Sequence, residues 1–178
     1  FKADTNKIFY GLGAIKSVGF EAISNIVKER EKNGKFKTFT DFINRVDPKD
    51  VNKLQLEGLV KAGAFDELDS NRNKLFEAIP KIIQTIKSKY DEKTSNQTNL
   101  FDDINNKDNE IFDFGTTKPW TKKELLAEEF VSLGFYISDH PLNEYKEFFT
   151  QLKIESYKDF LDSNKSESLV AGTIMSIQ

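Results

Sequence analysis

The sequence predicts a mainly α-helical protein, and three observations carry this prediction. Apolar residues recur three or four positions apart, as on one face of a helix, in most stretches between residues 20 and 152. Two glycine turns, at Gly19 and Gly63, separate neighbouring helical stretches. A single stretch, residues 169–177, has the composition of a β-strand. We therefore expect helices packed on helices, with one strand at the end of the chain.

The composition is typical of a globular domain and excludes several classes of protein. Of the 178 residues, 38% are apolar and 31% are charged. No apolar run approaches the roughly 18 residues that a transmembrane helix needs. The absence of cysteine excludes disulfides and thiolate metal sites, and it favours a cytoplasmic location. Because the chain begins at Phe1 and stops at Gln178 within an apolar run, we expect it to be a piece of a longer protein.

The two halves of the chain carry opposite charge. Residues 1–90 contain 17 Lys and Arg against 12 Asp and Glu, whereas residues 91–178 contain 9 against 17. A basic first half permits a phosphate-binding role, and an acidic second half argues against wrapping DNA.

The first glycine turn lies between two predicted helices. A short helix over 12–16 is closed by the turn Ser17-Val18-Gly19, and a longer helix follows until Asn33-Gly34 ends it. This is the helix-hairpin-helix pattern, in which free N–H groups at the start of the second helix bind a phosphate without reading bases. An ordinary αα-corner also contains glycine, so both interpretations stay open here.

A second unit of the same kind follows about 45 residues later. Thr38 is the candidate N-cap of a helix that ends near Val46, and Asn52 caps a helix over 53–61. That helix leads into the turn Ala62-Gly63-Ala64, with a further helix after it. Two such units predict a tandem helix-hairpin-helix domain that lies across a duplex backbone.

A long helix over 71–90 precedes the most distinctive short motif. Pro80 should kink or divide this helix. The polar stretch that follows contains one glutamine and an adjacent apolar pair: Gln97, Leu100 and Phe101. On a flexible loop, such a peptide is suited to docking in a pocket of another protein. The alternative is a loop that folds back on its own domain.

The remainder of the chain predicts further helices and a strand. Thr121 with Glu124 forms a capping box for a helix over 122–133, which Gly134 ends. Pro141 begins the next helix, with an inward apolar set, and Ser156 caps a short helix over 157–161. The inward set comprises Leu142, Tyr145, Phe148, Phe149 and Leu152.

No catalytic or metal-binding constellation is present in the sequence. His140 is the only histidine, and without cysteine it cannot complete a usual zinc site, so helix capping or packing is expected of it. The acidic pairs Asp102-Asp103 and Glu128-Glu129 are interpreted as solvated surface, because adjacent side chains point apart.

Four blocks occur in the order found in one family. They are residues 11–19 (GLGAIKSVG), residues 51–66 with the segment LVKAGAFD, the motif QTNLF at 97–101, and Trp120 with LGFYISDHPL at 133–142. In these blocks the chain strongly resembles the C-terminal half of the bacterial DNA polymerase III alpha subunits, the replicative polymerases. The resemblance covers essentially the whole chain.

The resemblance implies a division of the chain. It consists of a tandem helix-hairpin-helix DNA-binding region (1–92), a flexible loop with the clamp-binding motif (93–118), a helical connector (119–167) and the first strand of a truncated OB domain (168–178). The expected partners are the sliding clamp (beta subunit), double-stranded DNA and other replisome subunits, with no membrane. The parent protein would be a DNA-directed DNA polymerase, whose magnesium-binding palm carboxylates lie N-terminal to this segment. No cofactor and no catalytic residue are expected in the fragment itself.

The resemblance also assigns site residues. Gln97, Leu100 and Phe101 would bind the clamp. The expected DNA-binding residues are Lys16, Ser17, Val18, Gly19, Phe20, Lys61, Ala62, Gly63 and Ala64. Two positions depart from the family pattern, since Ser17 and Asp139 stand where the family usually has glycine. The competing function is a protein–protein interaction module without direct DNA contact, in which both hairpins are merely αα-corners.

Overall fold

The computed structural model describes residues 2–94 and 112–174, and within them the protein is mainly α-helical, as predicted. The chain divides into two compact units, Phe1–Phe135 and Tyr136–Gln178. The α-helices of the first unit are α1 (Phe20–Asn33), α2 (Phe39–Arg45), α3 (Lys53–Lys61), α4 (Arg72–Thr94) and α5 (Lys122–Leu133). Those of the second unit are α6 (Lys146–Gln151) and α7 (Tyr157–Asp162).

A small β-hairpin precedes the helices. The antiparallel strands β1 (Lys2–Asp4) and β2 (Lys7–Phe9) pair so that Ala3 lies opposite Ile8. The helix expected over 12–16 is shorter and tighter, a 3-10 helix over Leu12–Ala14. Because the N–H of Lys16 donates to a carbonyl of α5 rather than along the chain, the backbone leaves helical geometry at Ile15.

The predicted helix caps are confirmed. Thr38 accepts the N–H of Asp41 at the start of α2. The starts of α3 and α5 are closed by complete capping boxes, Asn52 with Gln55 and Thr121 with Glu124. In each box two otherwise unpaired N–H groups obtain acceptors, which fixes where the helix begins.

Helix α4 forms one continuous element through Pro80, so of the two outcomes expected there, a kink or a division, the division does not occur. Pro80 lies on the exposed side, whereas Leu75, Ile79 and Ile82 on the opposite side are completely buried. Burial of an apolar face contributes about 1.5–3 kcal/mol per large side chain, which outweighs the one hydrogen bond that proline removes. The core around α4 also contains Phe42, Ile43, Leu56, Leu59, Val60 and Ile86.

The segment 112–120 packs against this core through its two phenylalanines. The ring of Phe114 lies 5.2 Å from that of Phe39, and the N–H of Phe112 donates to Thr40 Oγ1 at 3.1 Å. Two asparagines at the start of α4 donate to backbone carbonyls of this segment. These contacts hold the segment against the core of the first unit directly before α5.

The second unit differs from its prediction. The apolar set expected to face inward is exposed at Tyr145, Phe148 and Leu152, and no described residue between 136 and 174 is fully buried. Over residues 169–174 the expected strand is not formed, since the part of this unit that the structure describes offers no strand to pair with it. The rest of that prediction, residues 175–177, lies outside the described residues.

Candidate nucleic-acid interface

The first hairpin presents an exposed turn before α1. Lys16, Ser17, Gly19 and Phe20 are exposed, and the Phe20 side chain retains 78% of its accessible surface. Val18 points the other way and is buried in the core. Ser17 has φ 66°, the left-handed conformation that favours glycine. This geometry explains why the resemblance expects glycine at Ser17.

The start of α1 is open to an anion. Gly19 occupies the N-cap position and has no side chain to accept a hydrogen bond. Ile23 donates its N–H to the carbonyl O of Gly19, but the N–H groups of Phe20, Glu21 and Ala22 have no acceptor among the described residues. Free N–H groups and the helix dipole together favour a phosphate at this position.

Close packing holds the first hairpin in place from two sides. The N–H of Lys16 donates to the carbonyl O of Ser132 in α5 at 3.0 Å. On the other side, a Cβ on Gly58 of α3 would lie 2.8 Å from the carbonyl O of Lys16, closer than real Cβ contacts come. Any side chain at Gly58 would therefore displace the turn.

The second hairpin ends a helix instead of beginning one. The N–H of Ala64 donates to the carbonyl O of Leu59 at 2.9 Å, and that of Gly63 donates to Val60 at 3.0 Å. With Gly63 at φ 76°, this is a Schellman cap. The N–H of Ala62 is also bonded within α3. These three N–H groups are thus already used inside the protein, and α4 begins only at Arg72.

Arg72 lies against the second turn. Its Nε and Nη2 atoms donate to the two carboxylate oxygens of Asp66 at 2.9 and 2.6 Å, and its Nη1 donates to the carbonyl O of Lys61 at 3.0 Å. A Cβ on Gly63 would lie 2.2 Å from Nη2, so the guanidinium takes the space beside this glycine. Burial lowers the pKa of Arg72, but the hydrogen bonds to Asp66 and Glu129 outweigh burial and raise it.

The acidic pair on α5 corrects one prediction. Glu129 is not part of a solvated surface, since its side chain is 0% exposed and its Oε1 lies 3.3 Å from Nη1 of Arg72. Its neighbour Glu128 lies 2.8 Å from Nζ of Lys61. The two carboxylates do point apart, as adjacent residues on a helix must, but both point to cations of the second hairpin.

Lys61 is engaged within the protein. Besides its ion pair with Glu128, its Nζ lies 5.1 Å from the ring centre of Phe76, and its side chain is 19% exposed. Lys16, by contrast, is exposed and forms no ion pair within the described residues. The two lysines that the sequence places at equivalent positions therefore have different surroundings.

Comparisons with known proteins agree with a helix-hairpin-helix arrangement in this part of the chain. A family model described as "Helix-hairpin-helix motif" matches residues 1–75, a range that contains both turns. The DNA polymerase III subunit alpha of Borreliella burgdorferi is 42% identical over 148 residues, 82% of this chain. That of Rickettsia bellii is 39% identical over 173 residues, and that of Caulobacter vibrioides is 33% identical over 151 residues, which are 95% and 81% of this chain.

The chain is homologous to one segment of the DNA polymerase III alpha subunits. It spans 13%, 14% and 12% of the length of these three relatives. The recognition made from the four sequence blocks is therefore confirmed at the level of the family and of a fragment within it.

The other site predicted from the sequence is the clamp-binding motif. Gln97, Leu100 and Phe101 lie outside the described residues, and their role stays a prediction. Before them the described chain ends with α4, and after them it resumes at Phe112. His140 acts as a cap, since its Nδ1 accepts the N–H of Leu142.

Two further findings concern only the described parts of the chain. Between residues 2 and 94 and between 112 and 174, no group of His, Asp and Glu side chains is arranged to hold a metal ion. No helix in these ranges has the length and hydrophobicity that a membrane crossing requires.

Sequence reasoning missed the residues that organise the two hairpins. Arg72, Glu129, Gly58 and Ser132 each act through partners distant in the chain. The one local signal is the scarcity of arginine. Where a chain with 23 lysines uses an arginine, as at Arg72, this favours a site that needs a planar side chain with five donors.

Proposed function

We propose that this chain is a non-catalytic part of a replicative DNA polymerase alpha subunit that binds duplex DNA and docks on the sliding clamp. The hairpin region holds the backbone of the duplex without sequence preference, and the clamp contact makes synthesis processive. In this proposal the parent protein is the DNA-directed polymerase and acts in the cytoplasm with other replisome subunits. The magnesium-binding carboxylates of nucleotidyl transfer belong to other parts of that protein.

The open start of α1 is the observation that carries the DNA-binding part. Three consecutive N–H groups without acceptors among the described residues, an N-cap glycine and the exposed Lys16 on the same turn suit a phosphate oxygen. Such contacts involve no base edges, which supports binding without sequence preference. The exposed Phe20 stands at the first position of the same helix, where it would meet the sugar–phosphate surface beside the bound phosphate.

The contact predicted for the second hairpin stays a prediction. The N–H groups of Ala62, Gly63 and Ala64 are bonded within the protein, and Lys61 is paired with Glu128. This arrangement disfavours a direct phosphate contact there. We therefore assign the direct contact to Lys16, Ser17, Gly19 and Phe20, with the buried Val18 as their anchor.

The clamp contact is proposed from the sequence motif. Gln97 follows the last residue of α4, Thr94, by three positions in the sequence. Burial of Leu100 and Phe101 would contribute about 1.5–3 kcal/mol each before ordering costs, which suits a reversible anchor. Two weak contacts on one chain reinforce each other, because the second becomes intramolecular.

A salt series on duplex binding tests the DNA half. The chain is titrated against two labelled duplexes of equal length and unrelated sequence at several salt concentrations. We expect similar affinity for both and a linear fall of log K with log salt. Lys16→Gln should weaken binding to both duplexes alike and reduce the slope by about 0.9, the share of one phosphate. A clear preference for one duplex would contradict the proposal.

A titration with the cognate sliding clamp tests the other half. The unchanged chain is compared with a triple variant, Gln97→Ala, Leu100→Ala and Phe101→Ala. Micromolar binding that the triple change abolishes would establish the motif as the anchor. Equal binding by both proteins would place the contact elsewhere.

The alternative function, an interaction module without DNA contact, has its own signature. The acidic second half and the exposed apolar side chains of the second unit favour it as a second candidate. It requires clamp binding that depends on the motif, together with no measurable duplex binding at low salt.

A further inference from the structure

Helix α5 contacts both hairpins at once. Near its C-terminal end, the carbonyl O of Ser132 accepts the N–H of Lys16 in the first hairpin at 3.0 Å. One turn earlier, the carboxylate of Glu129 lies 3.3 Å from Nη1 of Arg72. Arg72 in turn donates hydrogen bonds to Asp66 and to the carbonyl O of Lys61 in the second hairpin. A single helix, joined to the hairpins by a long intervening stretch of chain, thus connects them.

The contact between Glu129 and Arg72 fixes the register of α5. Glu129 is 0% exposed and Arg72 is 7% exposed, so neither charge is solvated. A buried carboxylate that loses its cation is strongly unfavourable, which means that α5 cannot slide or rotate without breaking this pair. Ser132 follows three residues later and its Oγ donates to the carbonyl O of Glu129, so both residues move together.

The first hairpin has little freedom of its own at this point. Lys16 is held on its N–H side by Ser132, and its carbonyl O packs against the glycine surface at Gly58. The turn at Ser17 and the open start of α1 follow directly in the chain. Their position relative to the protein body therefore depends on where α5 places the carbonyl of Ser132.

We propose that α5 is a strut that positions the first hairpin for DNA, with the buried pair of Glu129 and Arg72 as its fastening. The second hairpin then contributes to DNA binding through this strut and not through its own N–H groups. Glu129 and Arg72 are positioning residues, since both are buried and act on the first hairpin through α5. The inference rests on the proposed DNA-binding function for its effect on affinity, but its structural half stands without it.

The test uses Glu129→Gln, which retains the shape of the side chain and removes its charge. Glu77→Gln is the matched control, because Glu77 is an exposed residue of α4 that undergoes the same chemical change. Amide hydrogen exchange is measured at Lys16, with Leu56 in the core of α3 as the internal reference. Duplex affinity is measured in the same salt series as above.

In Glu129→Gln we expect exchange at Lys16 to rise at least tenfold relative to Leu56, which a uniform loss of stability would not produce. Duplex affinity should fall three- to tenfold and the salt slope should decrease by about 0.9. Adding Lys16→Gln should change little further, because both changes disable the same phosphate contact. Glu77→Gln should stay within twofold in every measurement.

Unchanged exchange at Lys16 in folded Glu129→Gln would overturn the strut. If that variant does not fold, Glu129→Asp replaces it, since it retains the charge and shortens the side chain. The two proposals fail separately. Altered exchange at Lys16 without any duplex binding by the unchanged protein would refute the proposed function and leave the strut, whereas altered affinity without altered exchange would refute the strut.

Discussion

In the first hairpin the glycine precedes a helix, whereas in the second it ends one. At the start of α1, the N–H groups of Phe20, Glu21 and Ala22 have no acceptor within the described residues. After α3, the N–H groups of the turn around Gly63 are all bonded to carbonyls of that helix. A glycine turn between two helices therefore offers a phosphate site only where it leaves N–H groups unpaired.

The charged side chains follow the same division. The cation of the first turn, Lys16, is exposed, whereas Lys61 and Arg72 at the second turn are paired with carboxylates of α5 and of the turn itself. The cation of the first hairpin thus faces solvent, whereas those of the second hairpin form ion pairs within the protein.

Removal of Arg72 should have the largest effect. Arg72→Ala leaves the carboxylate of Glu129 buried without its cation, so we expect the free energy of unfolding to fall by about 3–5 kcal/mol. Chemical denaturation measures this directly. Arg30→Ala, at an exposed arginine on α1, is the control and should change stability by less than about 0.5 kcal/mol. Similar losses in both variants would mean that Arg72 does not organise the second turn.

Two glycines with a positive φ separate strain from packing. Gly63 has φ 76° with Arg72 close beside it, whereas Gly134 has φ 87° and no described atom within 4 Å of its added Cβ. Gly134→Ala should cost about 1–2 kcal/mol, from the left-handed conformation alone. Gly63→Ala should cost about 1–3 kcal/mol more, because its Cβ meets the guanidinium. Thermal melts of the pair give the difference, and equal losses would refute the packing argument.

At the first hairpin, Ser17→Gly should be stabilising. Serine is held at φ 66°, which costs about 1–2 kcal/mol, and part of the gain is lost because glycine is more flexible when unfolded. We expect the free energy of unfolding to rise by about 0.5–1 kcal/mol in denaturant titrations. A loss of stability would show that the Ser17 side chain makes a contribution that the structure does not account for.

The smallest expected effect is on the pH dependence of stability, through Glu124 at the start of α5. Hydrogen bonds from the Thr121 backbone and hydroxyl lower the pKa of Glu124 below its ordinary value of 4.5. Its ionised form therefore stabilises the folded protein above pH 4.5, and this contribution is lost as the pH falls through the lowered pKa. Unfolding of Glu124→Gln should depend less on pH below 4.5 than unfolding of the unchanged protein. Parallel pH profiles would refute this role.

The local features of the fold could be predicted from the sequence, because their causes lie within a few residues. Thr38, Asn52 and Thr121 cap helices by accepting N–H groups three positions ahead, and this spacing is visible in the sequence. Gly34 and Gly134, which directly follow α1 and α5, are likewise local signals that a helix ends. The alpha-subunit family was also recognisable, since its blocks occur in order along the chain.

The difference between the hairpins could not be predicted, because it arises from residues distant in the sequence. Glu129 pairs with Arg72 across 57 positions, and its neighbours on α5 resemble any exposed acidic stretch. The interpretation of Glu128-Glu129 as solvated surface failed for this reason. Likewise, the expected inward set of the second unit assumed a second layer of packing that its described residues do not provide.

The most direct test of the account compares Lys16→Gln with Lys61→Gln. Both variants remove one positive charge from a hairpin turn. If net charge alone attracted the DNA, duplex affinity would fall equally in both variants. Duplex affinity is measured for each across a salt series. We expect Lys16→Gln to lower duplex affinity and to reduce the salt slope by about 0.9, whereas Lys61→Gln should leave the slope unchanged. An equal loss of slope in both variants would contradict the division between an outward and an inward hairpin.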